Sequence, residues 1–258
     1  MFSWKPRKVP PAPHSEAEPP TEPERETHSL AADSSLLDAQ VRVFGRDTAI
    51  QIVDAGAQHG QTTLQYLSAF PSCRVVALEP ESGNHALAAT TLAPFDERVE
   101  LIRAGLSNVD GTADLRVTSH SGAHSLLEVG DMRYYDEPVT VLPAERIQTV
   151  TIDRLCQVRN IDFLDILKMD IQGGELMALQ GAQRMLSRGA IRLIALEVLF
   201  QPLYRDQPTF WDLAAYLRQY EYALQGLYEP QLHARNPALL RWADAIFVAP
   251  RMAEIPQD

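Results

Sequence analysis

The sequence has few cysteines and no long apolar run. Its two cysteines, Cys73 and Cys156, form no CxxC pair, and two thiols are too few for a disulfide framework. They are typical of buried thiols in a reducing compartment, so we expect a cytoplasmic protein. Because no run of about 18 apolar residues occurs, we expect no membrane-spanning helix. The N-terminal residues 1–13 lack the apolar centre of a secretory signal.

Basic residues are also in deficit. The 258 residues contain 34 aspartates and glutamates but only 23 lysines and arginines, a formal net charge of −11. A chain this acidic is not expected to present a broad basic surface, so we predict that it has no nucleic-acid partner. The 45% apolar fraction is ordinary for a globular enzyme.

The first 38 residues differ in composition from the rest. Residues 1–30 hold seven of the 18 prolines and five glutamates, with few large apolar residues. Such a segment buries too little surface to offset the entropy lost on ordering. We therefore predict a disordered tail over residues 1–38 and a single domain over residues 39–258.

After Ala49, short apolar runs alternate with amphipathic stretches. This alternation favours a parallel α/β sheet with right-handed crossovers. Residues 104–150 break the rhythm and predict short strands and a long polar loop that forms a lid or a substrate wall. The predicted strands are Ile50–Asp54, Arg74–Glu79, Val99–Arg103, Phe163–Asp170, Ile191–Val198, Tyr222–Leu227 and Ala243–Val248, and the predicted helices are Thr62–Phe70, Asn84–Leu92, Glu175–Ser187 and Phe210–Gln219.

The first chemical motif follows the first predicted strand. It runs DAGAQHG from Asp54 to Gly60, and Gly56 allows a ligand to approach the backbone. The helix that follows offers free N–H groups to a carboxylate or phosphate. A dinucleotide site would require the middle glycine of GxGxxG, whereas Ala57 and Gln58 follow Gly56 here. The DxGxxxG form fits S-adenosylmethionine instead, with Asp54 holding its ammonium directly or through water. The alternative is a tight strand–helix turn that binds no ligand.

A second acidic residue lies at the end of the next predicted strand. Glu79 comes 25 residues after Asp54 and is followed by Pro80. A carboxylate in this position can accept hydrogen bonds from both hydroxyls of a ribose. Ribose occurs in both NAD and S-adenosylmethionine, so Glu79 does not distinguish the two cofactors.

A third motif, DILKMDIQGGEL, begins at Asp165. Lys168 and Asp170 share one face of a strand and lie at its carboxyl end, where open α/β sheets bind their ligands. A charged pair there is costly unless it is used or paired, so either catalysis or a structural ion pair explains it. Glu175 in the first turn of the next helix is favourable without any functional role.

With these motifs in place, the sequence resembles the FkbM-type methyltransferase family. The resemblance covers about residues 50–181 well and extends loosely to residue 250. It is carried by VDAGAQHGQTT, ALEP, the AGLS segment at residues 104–107, SGAHSLL, TIDRL and LKMDIQGGELMALQGA. One departure is Gln172, because the family usually has glutamate there, which puts an acid–base or metal role for this position in doubt.

The resemblance implies a class I methyltransferase fold. This Rossmann-like fold has a mostly parallel seven-stranded sheet with an antiparallel last strand, here Ala243–Val248, and helices on both faces. It also implies O-methylation of a small-molecule or saccharide hydroxyl, with S-adenosylmethionine as cofactor. The cofactor-binding residues expected in this chain are Asp54, Gly56, Ala57, Gly60, Glu79, Pro80 and Ser107.

Methyl transfer to a hydroxyl requires alignment of the acceptor and removal of its proton. Asp170 is the first candidate base, Lys168 could hold it or polarise the acceptor, and His124 is a further catalytic candidate. We expect no metal, although Asp170, Glu175 and Glu197 could supply oxygen ligands. A nicotinamide-dependent oxidoreductase and a catalytically silent nucleoside-binding module remain the alternatives.

Overall fold

The computed structural model describes residues 35–130, 133–134, 137–201, 203–233 and 236–253. Its strands are β1 Gln51–Ala55, β2 Arg74–Leu78, β3 Val99–Ile102, β4 Gly105–Leu106, β5 Gly111–Leu115, β6 Arg133–Tyr134, β7 Glu137–Pro138, β8 Glu145–Val150, β9 Leu164–Met169, β10 Ile191–Leu199, β11 Ala223–His233 and β12 Asn236–Val248. Its helices are α1 Leu36–Phe44, α2 Gln61–Ala69, α3 Ser82–Leu92, α4 Ile152–Val158, α5 Glu175–Gln180, α6 Gln183–Ser187, α7 Phe210–Arg218 and α8 Pro250–Ala253, with a 3₁₀ turn at Ala93–Phe95.

Seven strands form one sheet in the order β11-β12-β10-β9-β1-β2-β3. Neighbouring strands are parallel except for β12, which runs antiparallel to both β10 and β11. This topology confirms the predicted class I methyltransferase sheet with its antiparallel last strand. The chain reverses strand order between β1 and β9, so their carboxyl ends flank the crevice where such sheets bind ligands.

Helices cover both faces of this sheet, as predicted. Tyr66 and Leu67 of α2 pack with α1 and α3 against one face, and α4 to α7 pack against the other. All six side chains of β9 are buried. A strand covered on both faces is mostly apolar, and in β9 only Asp165 and Lys168 are charged, so the strand could be recognised in the sequence.

Helix α1 begins within the range that the sequence analysis assigned to the tail. The Ser35 hydroxyl oxygen accepts a hydrogen bond from the backbone N–H of Asp38, and the Asp38 carboxylate accepts one from the backbone N–H of Ser35. This reciprocal cap fixes the first turn of the helix. The predicted boundary at residue 38 is therefore a few residues too late, and residues 1–34 lie outside the described residues.

The predicted helix Glu175–Ser187 is in fact two helices, α5 and α6. The break falls at Gly181, where an added Cβ would lie 2.2 Å from the carbonyl oxygen of Ser107. The backbone of Gly181 thus packs directly against the end of β4. The periodic pattern could not reveal this break because apolar spacing continues through it.

The described strands between residues 104 and 150 form two small sheets that are separate from the main one. Strands β4, β8 and β5 lie side by side in that order in one sheet, and β6 pairs with β7 in the other. A connecting segment, residues 118–127, crosses the mouth of the crevice and is here named the strap. This arrangement agrees with the expected short strands and substrate wall.

Cys73 and Cys156 are both buried and free, as the sequence indicated. Within the described ranges, no helix combines the length and the apolarity that crossing a bilayer demands.

Candidate active site

A cavity of about 870 Å³, including its open mouth, lies at the carboxyl ends of β1, β2 and β9. One half, here named the cofactor half, is formed by the turns after β1 and β2. The other, here named the acceptor half, is formed by the end of β9 and the strap. Among the lining residues are Gly56, Ala57, Gln58, Glu79, Pro80, Asn84, Gly105, Leu106, Ser121, His124, Ser125, Lys168, Asp170 and Gln172.

The turn between β1 and α2 forms the floor of the first half. The backbone N–H groups of Gly56 and Ala57 both donate to the carbonyl of Leu78, at 3.0 Å each. Gly56 has a φ of +77°, and an added Cβ would lie 1.9 Å from the carbonyl oxygen of Asp170. Glycine is therefore required here by the neighbouring strand β9 as much as by a ligand.

Glu79 lies in the cavity wall with only 5% of its surface exposed. Its carboxylate accepts hydrogen bonds from the backbone N–H groups of Gln58, at 2.8 Å, and Glu81, at 3.0 Å. Burial raises the pKa of Glu79 to about 7, and these donors counteract the rise in part. The fixed carboxylate is suited to accept hydrogen bonds from ribose hydroxyls, and this contact stays a prediction.

Asp54 is not among the cavity-lining residues, so its expected contact with the cofactor, directly or through water, stays a prediction. It is fully buried, accepts a hydrogen bond from Thr63 Oγ1 at 2.6 Å, and lies 3.3 Å from Lys168 Nζ. Side chains alternate along β1, so Asp54 points with Ile52 toward helix α2. Its structural role is to pair with Lys168.

Gly60 and Ser107 are also absent from the cavity lining, and their cofactor contacts likewise stay predictions. Gly60 is the residue before α2, has a φ of +87°, and packs against Leu92, with an added Cβ 3.0 Å from Leu92 Cγ. Ser107 is buried against Gly181. The wall beside Pro80 is supplied instead by the preceding residues 104–106.

Lys168 and Asp170 are brought together at the end of β9. Lys168 Nζ lies 3.4 Å from the carbonyl oxygen of Gly56 and pairs with Asp54. Burial lowers the pKa of Lys168, but the Asp54, Asp170 and Asp244 carboxylates outweigh this effect and raise it above its ordinary value. Lys168 is therefore a fixed ammonium group and cannot serve as a base.

Three further carboxyl groups lie near Asp170. Burial raises the pKa of Glu175 and of Asp244 to about 7, and it raises that of Glu197 well above its ordinary value. The charge of Asp170 raises all three further. The charge of Asp170 thus disfavours ionisation of the three neighbouring carboxyl groups. Of these four groups, Asp170 is the one that lines the cavity.

His124 lies in the strap and lines the cavity. Its Nδ1 accepts a hydrogen bond from the backbone N–H of Thr118 at 3.2 Å, and burial lowers its pKa. A neutral ring in this position carries its proton on Nε2, so it presents a donor rather than a base. His124 is better placed to bind an acceptor oxygen than to deprotonate it.

The residues whose hydrogen bonds join the strap to the cofactor half were not predicted from the sequence. Gln58 Nε2 donates to Ser121 Oγ at 3.0 Å, and Asn84 Nδ2 donates to the Ser121 carbonyl at 2.9 Å. Gln58 has a positive φ of 49°, and a polar residue inside a glycine turn was the available signal. Tyr204, which was not predicted to belong to the site, donates to Gln172 Oε1 at 2.7 Å.

The cavity fits an adenosyl cofactor. Glu79 can bind the ribose, and the start of α2 at Gln61 and Thr62 offers N–H groups for an amino-acid carboxylate. Between Leu78 and Leu106 the walls are apolar and suit an adenine ring, and Gly105 leaves room beside Ile147.

A glycine turn leading into a helix and a buried carboxylate one strand away, on a seven-stranded sheet with the antiparallel β12, match a class I methyltransferase site. The sequence supports this class independently, because the methyltransferase FkbM domain model matches residues 54–224, more than half of the chain. The chain belongs to this family and is an S-adenosylmethionine-dependent methyltransferase. The oxidoreductase alternative is therefore set aside.

Solved structures with a similar arrangement include two methyltransferases. The precorrin-6Y C5,15-methyltransferase of Geobacter metallireducens is 10% identical, with a TM-score of 0.45 over 82% of this chain and 86% of that chain. TrmK of M. capricolum, solved with S-adenosylhomocysteine, is 9% identical, with a TM-score of 0.43 over 83% of this chain and 68% of that chain. A search of curated proteins gives no significant match.

Replacing Glu79 with alanine is expected to weaken S-adenosylhomocysteine binding at least about tenfold, or about 1.4 kcal/mol. The variant loses the only carboxylate in the described cofactor half of the cavity. Isothermal titration calorimetry measures the affinity, and the exposed Glu97→Ala serves as the matched control. Equal affinity in folded Glu79→Ala and wild-type protein would contradict the ribose assignment.

Replacing Asp244 with asparagine is expected to make the protein gain stability relative to wild type as pH rises from about 4 to 8. The folded pKa of Asp244 is about 7, against 3.8 as its ordinary value. The unfolded chain therefore releases this proton first, and the wild-type free energy of unfolding falls across that range. Melting temperatures across this range test this, with exposed Asp162→Asn as control; a pH-independent difference contradicts it.

Proposed function

We propose that this methyltransferase transfers a methyl group from S-adenosylmethionine to a hydroxyl of a small molecule, a sugar or a glycan-like acceptor. The observation that carries the proposal is the polar second half of the cavity. Asp170, Lys168 and His124 line it together with the serine side chains of the strap. Carboxylate, ammonium, imidazole and hydroxyl groups are the partners that a polyhydroxylated acceptor requires.

Asp170 is placed to accept the proton of the acceptor hydroxyl. Its backbone N–H donates to the carbonyl of Ala55 at 3.1 Å, which fixes the end of β9 beside the cofactor turn. S-adenosylmethionine supplies an electrophilic methyl group when bound. The protein contributes alignment of the acceptor oxygen, exclusion of water by the strap, and a base within the cavity.

A nucleobase acceptor is less well matched by this lining. Enzymes that act on bases commonly stack the base between aromatic or apolar side chains, whereas the described lining of this cavity contains no phenylalanine, tyrosine or tryptophan. The net charge of −11 also gives little general attraction to a phosphate backbone.

The test is a label-transfer screen with methyl-labelled S-adenosylmethionine. Separate pools contain mono- and oligosaccharides, other hydroxylated small molecules, and total RNA. We expect label in a hydroxylated pool, recovered as a methyl ether, with transfer slowed about 100-fold or more in Asp170→Asn and normal transfer by Asp162→Asn. Label that enters only RNA bases, or only amine nitrogens, would show that the acceptor class is wrong.

A further inference from the structure

The side chain of Gln172 joins three groups beside the cavity. Its Nε2 atom donates to Asp170 Oδ1 at 2.8 Å and to Glu197 Oε2 at 3.0 Å. Its Oε1 atom accepts the hydroxyl hydrogen of Tyr204 at 2.7 Å. One amide thus uses both N–H donors and its oxygen at the same time.

The orientation of this amide is determined by its neighbours. The Asp170 carboxylate can only accept hydrogen bonds, so it requires the nitrogen side of the amide. The hydroxyl of Tyr204, a residue 2% exposed, meets the oxygen side. Rotation of the amide by 180° would place its oxygen against Asp170, so a single orientation is favoured.

The backbone of Gln172 is also held. Its φ is +54°, a backbone conformation that residues other than glycine rarely adopt. Its carbonyl accepts a hydrogen bond from Ser125 Oγ of the strap at 2.7 Å. Side chain and backbone are therefore both fixed between the end of β9 and the strap, so the amide can act as a rigid support for Asp170.

We propose that Gln172 is a positioning residue, whose amide ties Asp170 to Glu197 and holds the Asp170 carboxylate in one orientation toward the acceptor hydroxyl. The amide takes Oδ1, and among the described residues no hydrogen bond reaches Oδ2, which is the oxygen left for the acceptor. The role in turnover rests on the proposed hydroxyl methylation. A neutral amide also separates two carboxyl groups that would repel if both were charged.

The first experiment needs no acceptor. The side-chain amide signals of Gln172 are assigned by NMR in the S-adenosylhomocysteine complex, through their loss in Gln172→Glu. We expect their hydrogen exchange to be about tenfold or more slower than that of the exposed Gln219 side chain. Exchange should become faster in both Asp170→Asn and Tyr204→Phe. Exchange as fast as that of Gln219 in the wild type would overturn the proposal.

The second experiment measures turnover with the acceptor found in the screen. In Gln172→Glu, a third carboxylate replaces the amide, so we expect kcat to fall about tenfold or more while KM for S-adenosylmethionine changes little. The pH of half-maximal rate should move upward by about one unit, because an added negative charge disfavours the deprotonated base. Gln219→Glu adds the same charge at an exposed site and should change neither quantity.

These outcomes separate this inference from the function itself. If no hydroxyl is methylated by the wild type, the proposed function fails, and amide exchange still decides whether Gln172 holds Asp170. If hydroxyls are methylated but the pH of half-maximal rate is the same in Gln172→Glu and wild type, only the positioning role fails. Should Gln172→Glu not fold, Tyr204→Phe replaces it: an unchanged kcat there overturns the role, and a lower kcat with constant KM supports it.

Discussion

Asp170→Asn is expected to slow methyl transfer by about 100-fold or more, the usual contribution of a general base. Asparagine keeps the shape of the side chain but cannot accept the acceptor's proton. S-adenosylhomocysteine affinity should change less than about threefold, since Asp170 is assigned to the acceptor half. Single-turnover rates and calorimetry on the same preparation measure the two effects.

The control for this prediction lies at the opposite end of the same strand region. Asp162 is exposed and precedes β9, so Asp162→Asn removes one negative charge far from the cavity. It should leave both quantities unchanged. Equal losses of rate and cofactor affinity in Asp170→Asn would instead assign Asp170 a structural role.

Gly56→Ala is expected to destabilise the fold by about 3 kcal/mol, combining backbone strain with overpacking. The added Cβ would lie 1.9 Å from the Asp170 carbonyl oxygen, and the φ of +77° disfavours any side chain. For a domain of this size, the melting temperature should fall by roughly 6–12 °C. Differential scanning calorimetry measures the change.

Gly45 provides a close match for this substitution. Its φ is +76°, almost the same as that of Gly56, but the nearest atom to an added Cβ is Thr48 Oγ1 at 3.7 Å. Gly45→Ala therefore carries the backbone strain without the collision, and should cost about 1 kcal/mol. Equal destabilisation by the two variants would show that contact with β9 does not matter.

The elements of the sheet could be predicted from the sequence because their cause is local. A strand covered on both faces, such as β9, is mostly apolar along its length, here with Asp165 and Lys168 as the exceptions. The spacing from Asp54 to Glu79 then followed from the length of one strand–helix unit. The ends of β11 and β12 were harder to predict from the sequence, because the outer parts of both strands are exposed and carry no alternating pattern of buried residues.

The directions of the side chains around the site could not be predicted from the sequence. Asp54 has the residue type and position of a cofactor ligand, yet strand alternation turns it toward Thr63 and Lys168. The sequence gives no sign of which face of β1 an acidic residue occupies. Tyr204 reaches Gln172 from 32 residues away, and a contact of that separation has no local pattern.

The collision expected at position 56 also concerns evolutionary change. Gly56 belongs to the turn under the cofactor, whereas the carbonyl it would strike belongs to Asp170, the proposed base. Drift in either segment displaces the other, so neither can be varied alone. Acceptor specificity in this chain should therefore diversify through the strap, whose serine and histidine side chains meet the cavity from a separate stretch of sequence.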